Sequence, residues 1–301
     1  MTKNKNKLSG YTAICLYSIL SGVSFAWTKR LLENSFPVFT IVTVRLLIGA
    51  LFLLGVLAAT KRLEPLKRKD FPAFLCLALG EPFVYFIGED FGMQHVEASF
   101  ASVVIALIPV LVAFAIPLVY GGRIKLSLVL GAALSLCGIA LMSFTSAGFS
   151  FNLKGLSLLL LALIAAVWYN VFLQRLLKTY GAFSVTAYMN IIGAVMYLPL
   201  FFAFDASHVC SLDWSVANVV CLVCLGVLCS AGSYGLYSFG ASRLGVDKVS
   251  IFNNAAPVVT VFAAVLMHME TLSVQKLLGV VIVVCGVIFS QGLFDKKQKS
   301  V

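Results

Sequence analysis

The sequence predicts an all-α integral membrane protein with ten transmembrane helices, arranged as two five-helix repeats of opposite orientation. Two observations lead to this fold class. The chain of 301 residues is 61% hydrophobic and only 11% charged, with a mean hydropathy of +1.02. A soluble domain is about half apolar and about a quarter charged. The second half of the chain also repeats landmarks of the first half at a nearly constant distance.

Apolar runs of about 20 residues, bounded by charged or turn residues, give the predicted spans. Hydrocarbon offers the backbone no water to bond with, so spans of this length are expected to be helical. The predicted limits are 10–28, 37–59, 71–91, 98–120, 126–146, 155–177, 182–204, 214–240, 247–268 and 275–294. The connections are short, and no soluble domain is expected between them.

The repeat rests on residue types that seldom match by chance in an apolar chain. Landmarks of the first half return in order 148 positions later: Phe91-Gly92 as Phe239-Gly240, Ser102 as Ser250, Pro109 as Pro257, Gly131 as Gly279, and Gly138 as Gly286. Five crossings in each copy force the second copy to enter from the opposite face, an arrangement typical of secondary transporters. We expect 1–146 to form the first repeat, 147–154 a linker, 155–294 the second repeat, and 295–301 a cytoplasmic tail.

Lysine and arginine predict the orientation, because cytoplasmic loops carry an excess of them. Loops on the side of the N-terminus hold 17 of these residues, the opposite side holds 4, and Arg45 lies within a span. Both termini are therefore expected in the cytoplasm, with the chain in the inner (plasma) membrane. The basic residues are spread over loop ends, so the net charge of +10 needs no nucleic-acid partner.

The sequence shows no pattern of an enzyme, a metal site or a cofactor site. Seven of the eight cysteines lie inside predicted spans, where a free cysteine packs as a small apolar residue. His95, His208 and His268 all fall near the outer face, and nothing predicts that they meet. No Ser-His-Asp order, HExxH motif or Gly-rich phosphate loop is found. We expect no enzymatic activity, no metal and no cofactor.

Glycines mark a helix contact in the fifth and tenth spans. Gly131 and Gly138 are seven residues apart, as are Gly279 and Gly286, so each pair lies on one helix face. Small residues let helices approach closely in lipid. The pattern fits packing within the chain or the contact face of a homodimer, and it leaves monomer and homodimer open.

Ionisable residues inside a span are costly and usually face a cavity or a partner. At 1.5 Å per residue, Arg45 lies about 12 Å and Glu81 about 15 Å from the outer ends of their spans, so the two could form an ion pair. Glu81, Tyr85 and Glu89 recur every four residues and share one face of the third span. Glu81 and Glu89 are the candidates for proton coupling, and Pro82 is expected to kink the helix beside Glu81.

The eighth span, the counterpart of the third, carries a similar stripe formed by Ser230, Ser233, Tyr234 and Tyr237. Two polar stripes on related helices predict a shared cavity, with ordinary hydrogen bonds between helices as the alternative. Further candidate substrate-binding residues are Asn190, the counterpart of Arg45, and Asn253 and Asn254, which precede Pro257. Pro109 and Pro257 are expected to kink their helices. Tyr169, near a span end, is expected to lie in the interfacial aromatic belt.

With these residues in view, the chain resembles the drug/metabolite transporter superfamily in its ten-helix EamA-type branch. The resemblance covers nearly the whole chain and is carried by Gly22, Lys29, Pro37, Arg45, the run Ala98-Ser99-Phe100-Ala101-Ser102, Pro109, Gly131 and Gly138, and in the second copy by Ser250, Pro257, Glu270, Gly279 and Gly286. Two positions depart from the family pattern. Ser21-Gly22 stands where the family often has Trp-Gly, and Gly122 stands where an acidic residue is usual. The resemblance implies transport of amino acids, other metabolites, nucleotide sugars or drugs.

The charges within the spans narrow the substrate. A phosphate-rich substrate would normally meet several lysines or arginines, and Arg45 is the only cation at depth. The sequence therefore predicts a secondary-active transporter of small metabolites, working by alternating access as an exporter of amino acids or related compounds. The alternatives are an efflux carrier for drugs or aromatic compounds and a facilitative channel. The expected partners are the lipid bilayer, a small-molecule substrate and a proton as the candidate coupling ion.

Overall fold

The computed structural model describes residues 2–111, 114, 126–145, 148–149 and 152–290, and helices dominate these residues. The helices of the first half are α1 (Thr2–Glu33), α2 (Val38–Ala59), α3 (Phe71–Ala78), α4 (Tyr85–Met93), α5 (Ala98–Ile105) and α6 (Leu126–Ser143). A short antiparallel pair of strands, β1 (Phe144–Thr145) and β2 (Gly148–Phe149), follows α6. Most of the predicted fourth span beyond 111 lies outside the described residues.

The second half is also helical in the described residues. Its helices are α7 (Leu153–Leu176), α8 (Ala182–Leu200), α9 (Val216–Cys224), α10 (Tyr234–Leu244), α11 (Val246–Ser250), α12 (Ala256–Leu266) and α13 (Val274–Ser290). Irregular helical turns extend α8 to Ser211 and join α9 to α10. The predicted cytoplasmic tail, 295–301, lies outside the described residues.

Ten helical segments in the described part are apolar, but they differ in length. Six are long and apolar enough to cross a membrane: Leu8–Glu33, Val38–Ala59, Arg68–Met93, Leu153–Leu176, Ala182–Ser211 and Val216–Leu244. Four are shorter: Ala98–Leu111, Leu126–Met142, Phe252–Leu266 and Val274–Phe289. Large apolar side chains such as Leu51, Ile164 and Phe202 are exposed on their outer faces, as expected of a surface that meets lipid. The helical fold is confirmed, whereas the ten crossings and their inversion stay predictions.

The third and eighth predicted spans are each irregular near the middle. Between α3 and α4, Glu81 has an extended backbone (φ −139°, ψ 120°), and Pro82 follows it. Proline has no N–H to donate, so the helical ladder is interrupted at this point. Between α9 and α10, residues Leu225–Ser233 form a wider π-type helix. Such turns often lie at functional sites, and these two occupy corresponding positions in the two halves.

The other two prolines lie at helix junctions. Pro109 follows a turn at 106–107 that separates α5 from the helical turn at 108–111. Pro257 lies in the first turn of α12, directly after a 3₁₀ turn at Ile251–Ala255. The first turn of a helix tolerates proline because its N–H would have no partner there. At Pro257 the structure therefore has a helix start in place of the expected kink inside a helix.

Charged side chains cover four helix ends, each with the sign that the helix dipole favours. Carboxylates accept hydrogen bonds at three N-termini: Asp205 from the Thr40 N–H at 2.7 Å, Glu64 from the Gly181 N–H at 2.7 Å, and Glu270 from the Ser99 N–H at 3.1 Å. The Lys29 ammonium donates to two carbonyls at the end of α4, those of Met93 and Val96, at 2.8 and 2.9 Å. The three carboxylates each join one half of the chain to the other.

The glycines of the fifth and tenth predicted spans pack against each other within the chain. A Cβ atom added to Gly138 would lie 2.8 Å from the Gly279 carbonyl oxygen, and one added to Gly279 would lie 2.9 Å from the Gly138 carbonyl oxygen. A Cβ on Gly286 would lie 2.7 Å from the Gly131 carbonyl oxygen. These glycines therefore form the seam between α6 and α13. Of the two possibilities that the sequence left open, this is packing within the chain.

Candidate functional site

A cavity lies between the two halves of the chain, beside both irregular helices. The space among its lining side chains is about 680 Å³, including the part that opens to solvent. Eight of the candidate residues line it: Arg45, Glu81, Tyr85, Glu89, Ser233, Tyr234, Tyr237 and Asn253. The interruption at Glu81 and the π-type turn before Tyr234 both border this cavity.

Glu81 joins the two irregular helices that border the cavity. Its carboxylate accepts a hydrogen bond from the Tyr234 hydroxyl at 2.6 Å, and the residue is 7% exposed. Tyr85 and Glu89 follow in α4, one turn apart on one face of that helix, and both are also buried. The third predicted span therefore presents two carboxylates to one cavity.

Arg45 is held by contacts on two sides. Its Nε donates to the Ser230 hydroxyl at 3.1 Å, and its guanidinium carbon lies 4.4 Å from the centre of the Phe86 ring. Ion pairs within 4.0 Å in the described residues join Lys29 or Lys276 to acidic partners, and none of them involves Arg45. The direct ion pair between Arg45 and Glu81 is therefore not formed, although both residues line the cavity.

Three candidate residues lie outside the cavity lining. Ser230 is fully buried, and its carbonyl accepts a hydrogen bond from the Asn190 amide at 2.7 Å. Asn190 thus fixes the backbone of Ser230, and the Ser230 hydroxyl accepts the hydrogen bond from Arg45. Asn254 is also buried, and neither end of its side-chain amide has a hydrogen-bond partner in the described part of the chain. Its neighbour Asn253 accepts a hydrogen bond from the Tyr17 hydroxyl at 2.5 Å and does line the cavity.

The sequence reasoning missed the contribution of the first predicted span. Tyr17, Ser21, Ser24 and Phe25 of α1 all line the cavity. Their spacing of i, i+4, i+7 and i+8 is that of one helix face, so the signal was present in the sequence. Because serine and tyrosine are only weakly polar, this face stands out less than one that carries carboxylates.

Tyr169 of α7 does not lie where the sequence predicted. Tyr169 is 2% exposed and lines the cavity, so its expected place in an interfacial belt is wrong. Its hydroxyl makes no hydrogen bond of standard geometry in the described residues. The neighbouring Asn170 accepts a hydrogen bond from the Tyr237 hydroxyl at 2.7 Å, which closes this side of the cavity.

Asp90 is a further buried carboxylate beside Glu89. It is fully buried in α4, and neither of its oxygens has a hydrogen-bond partner in the described residues. It does not line the cavity. The sequence reasoning passed over Asp90 because it lies off the face shared by Glu81, Tyr85 and Glu89.

Comparison with known proteins gives a consistent result. The EamA-like transporter family matches the chain twice, at residues 8–144 and 153–291. An uncharacterized transporter of Bacillus subtilis (strain 168), YcxC, is 28% identical over 298 residues, which are 96% of this chain and 95% of the relative. A probable terminal-alkyne amino-acid exporter of Streptantibioticus cattleyicolor is 26% identical over 222 residues, 73% of each chain. A solved crystal structure shares the fold, with a TM-score of 0.67 at 21% identity over 95% of this chain and 96% of that one.

Proposed function

Because the chain belongs to the EamA-like transporter family, we propose that it is a secondary-active carrier that exports amino acids or related small metabolites. Its curated relatives are named as transporters and not as enzymes. The observation that carries the proposal is the cavity between the two halves, whose lining combines Glu81, Glu89 and Arg45 with aromatic rings. Fixed charges of both signs in a small cavity suit a small charged metabolite.

The proposed mechanism is alternating access, with the unit 1–146 rocking against the unit 155–294 and both termini in the cytoplasm of a plasma-membrane protein. Three features support this arrangement. The family match occurs twice, the helices interrupted at Glu81 and at Leu225–Ser233 correspond between halves, and both interruptions border the cavity. Broken helices around a central site are typical of transporters built from inverted repeats.

The inverted arrangement predicts that residues 122 and 270 lie on opposite faces of the membrane. Single cysteines at these two positions, labelled from one side of sealed vesicles with an impermeant reagent, would test it. Equal labelling of both positions from the same side would overturn the inverted arrangement.

Transport itself is tested with purified protein in proteoliposomes. We expect saturable counterflow with members of a broad panel of amino acids and the amines related to them. Absence of counterflow across the whole panel would remove this substrate class.

Glu81 is the proposed proton carrier, with Glu89 as the second candidate. If Glu81 carries the proton, Glu81→Gln should abolish uptake driven by a proton gradient and still allow solute exchange. An unchanged proton-driven flux in this variant would rule out that role.

A carrier for drugs or other aromatic compounds is the second candidate function. The observation that favours it is the aromatic lining, which includes Tyr17, Tyr85, Phe86 and Tyr234. Such a carrier would accept apolar aromatic solutes that lack an amino group, and counterflow with those solutes separates the two functions. A facilitative channel would instead show conductance without exchange.

A further inference from the structure

This inference rests on the carrier function proposed above and names the chemical group that the cavity recognises. We propose that the cavity selects small organic cations, in which a charged amine is attached to an apolar or aromatic body. A free carboxylate on the substrate then weakens binding, so an amine derived from an amino acid is preferred over the amino acid itself.

The balance of charge is the first argument. The charged residues that line the cavity in the described part of the chain are Arg45, Glu81 and Glu89, which give a formal surplus of one negative charge. Asp90, fully buried beside Glu89, adds a third carboxylate close by. Unbalanced charge in a low-dielectric interior costs several kcal/mol. A bound monocation reduces this surplus, whereas a zwitterion leaves it unchanged and an anion increases it.

The second argument is that Arg45 is already engaged. Recognition of a carboxylate by arginine is strongest when two parallel N–H groups face the two oxygens. Here Nε is bonded to Ser230, and the guanidinium lies against the Phe86 ring. Ser230 is itself fixed by a hydrogen bond from Asn190 to its carbonyl, so the partner of the Arg45 side chain is held in place. Arg45 is therefore anchored to the cavity lining through Nε, and the pair of parallel N–H groups that includes Nε is not available to a substrate carboxylate.

The third argument is the density of aromatic rings around the carboxylates. The tyrosines that line the cavity are Tyr17, Tyr85, Tyr169, Tyr234 and Tyr237. The ring centres of Tyr17 and Tyr237 are 4.9 Å apart, and those of Tyr169 and Tyr237 are 6.4 Å apart. The face of an aromatic ring attracts an ammonium group that lies within about 6 Å of its centre. A cavity lining that combines five tyrosine rings with two carboxylates is suited to an organic cation.

Three of these tyrosine hydroxyls already donate to fixed acceptors. The acceptors are Asn253 for Tyr17, Glu81 for Tyr234 and Asn170 for Tyr237. These bonds hold the rings in place and fix the Glu81 carboxylate.

The test is a comparison of three probes that share the same ring and chain: 2-phenylethylamine, phenylalanine and 3-phenylpropionate. Binding to the purified full-length protein is measured by calorimetry at neutral pH. We expect the amine to bind at least about tenfold more tightly than phenylalanine, and 3-phenylpropionate to bind most weakly. The permanently charged (2-phenylethyl)trimethylammonium ion shows whether the positive charge, and not hydrogen-bond donation alone, is recognised.

Variants of Tyr17 test the contribution of the rings. Tyr17→Leu removes a ring from the cavity. We expect about a tenfold loss of affinity for the trimethylammonium probe, a loss between those typical of exposed and of fully desolvated cations on an aromatic face. Tyr17→Phe keeps the ring and should lose less. Phe202→Leu, which removes a ring exposed on the outer surface, is the matched control.

The outcomes separate this inference from the carrier function. Phenylalanine binding as tightly as the amine, or a Tyr17→Leu loss no larger than that of Phe202→Leu, would overturn the inference. Binding of none of the three probes would also overturn it, even if other solutes show counterflow. Absence of counterflow for every solute would instead remove the carrier function.

Discussion

Replacing Gly286 with alanine is expected to destabilise the protein, whereas the same change at Gly55 should leave its stability unchanged or raise it. A Cβ on Gly286 would lie 2.7 Å from the backbone oxygen of Gly131 and 2.7 Å from the backbone nitrogen of Ser135. Ordinary contacts begin near 3.4 Å, so the seam between α6 and α13 would have to open by about 0.7 Å. A Cβ on Gly55 meets no atom of the described residues within 4 Å.

The two effects can be compared in energy. Forcing extra atoms into a packed contact typically costs about 1–3 kcal/mol. Alanine is also favoured over glycine in a helix by about 1 kcal/mol, and this gain applies at both positions. The helix term therefore cancels between the variants, and Gly286→Ala should be less stable than Gly55→Ala by about 1–3 kcal/mol.

The assay is thermal unfolding of the two purified variants in the same detergent. The midpoint of Gly286→Ala should lie below that of the unchanged protein, and the midpoint of Gly55→Ala at or above it. Equal midpoints for the two variants would show that the close approach of α6 and α13 does not contribute to stability, and the packing argument would then fail.

Three further substitutions test the site and the helix ends. Glu270→Gln should lower the unfolding midpoint, because it weakens charge-assisted hydrogen bonds to the Ser99 N–H and hydroxyl that are worth about 1.5–3 kcal/mol each. Tyr234→Phe should reduce the transport rate in proteoliposomes, because the hydroxyl that fixes Glu81 is lost. Asp90→Asn should raise the midpoint, because a buried carboxylate without a hydrogen-bond partner in the described residues is replaced by a neutral group.

Two of these substitutions have a matched control. Glu33→Gln changes a half-exposed carboxylate in a loose pair with Lys29 at 3.9 Å, and it should shift the midpoint less than Glu270→Gln. Tyr11→Phe changes an exposed tyrosine away from the cavity and should leave transport unchanged. For Asp90, a lowered midpoint would contradict the reasoning, because it would mean that the carboxylate makes stabilising contacts.

Hydrophobicity located the helices but not all of their ends or interruptions. The predicted span 37–59 agrees with α2 to within one residue, because its borders are a proline and a charged loop. The helix α1 begins at Thr2, well before the predicted residue 10, because a helix can continue through a lysine-rich turn that hydropathy excludes. The interruption at Leu225–Ser233 contains no proline, so the sequence predicted one continuous span there.

The candidate site shows a similar limit. A period of four residues brings Glu81, Tyr85 and Glu89 to one face from sequence alone, and all three line the cavity. Which other helices complete that cavity depends on tertiary contacts that periodicity does not contain. Tyr169 illustrates this point, because distance from a span end suggested an interfacial position while its neighbours in the fold bury it.

The carboxylates at the helix ends bear on the proposed motion. Glu64 is in the first half and covers the start of α8 in the second half, whereas Asp205 is in the second half and covers the start of α2 in the first half. A rocking motion of one half against the other must separate some of these contacts, and each hydrogen bond to a charged group is worth about 1.5–3 kcal/mol. Because an exposed helix end can bond to water in their place, the separation costs less than the full value of the bonds. Contacts of this kind can therefore hold one state of a carrier without preventing its exchange with another.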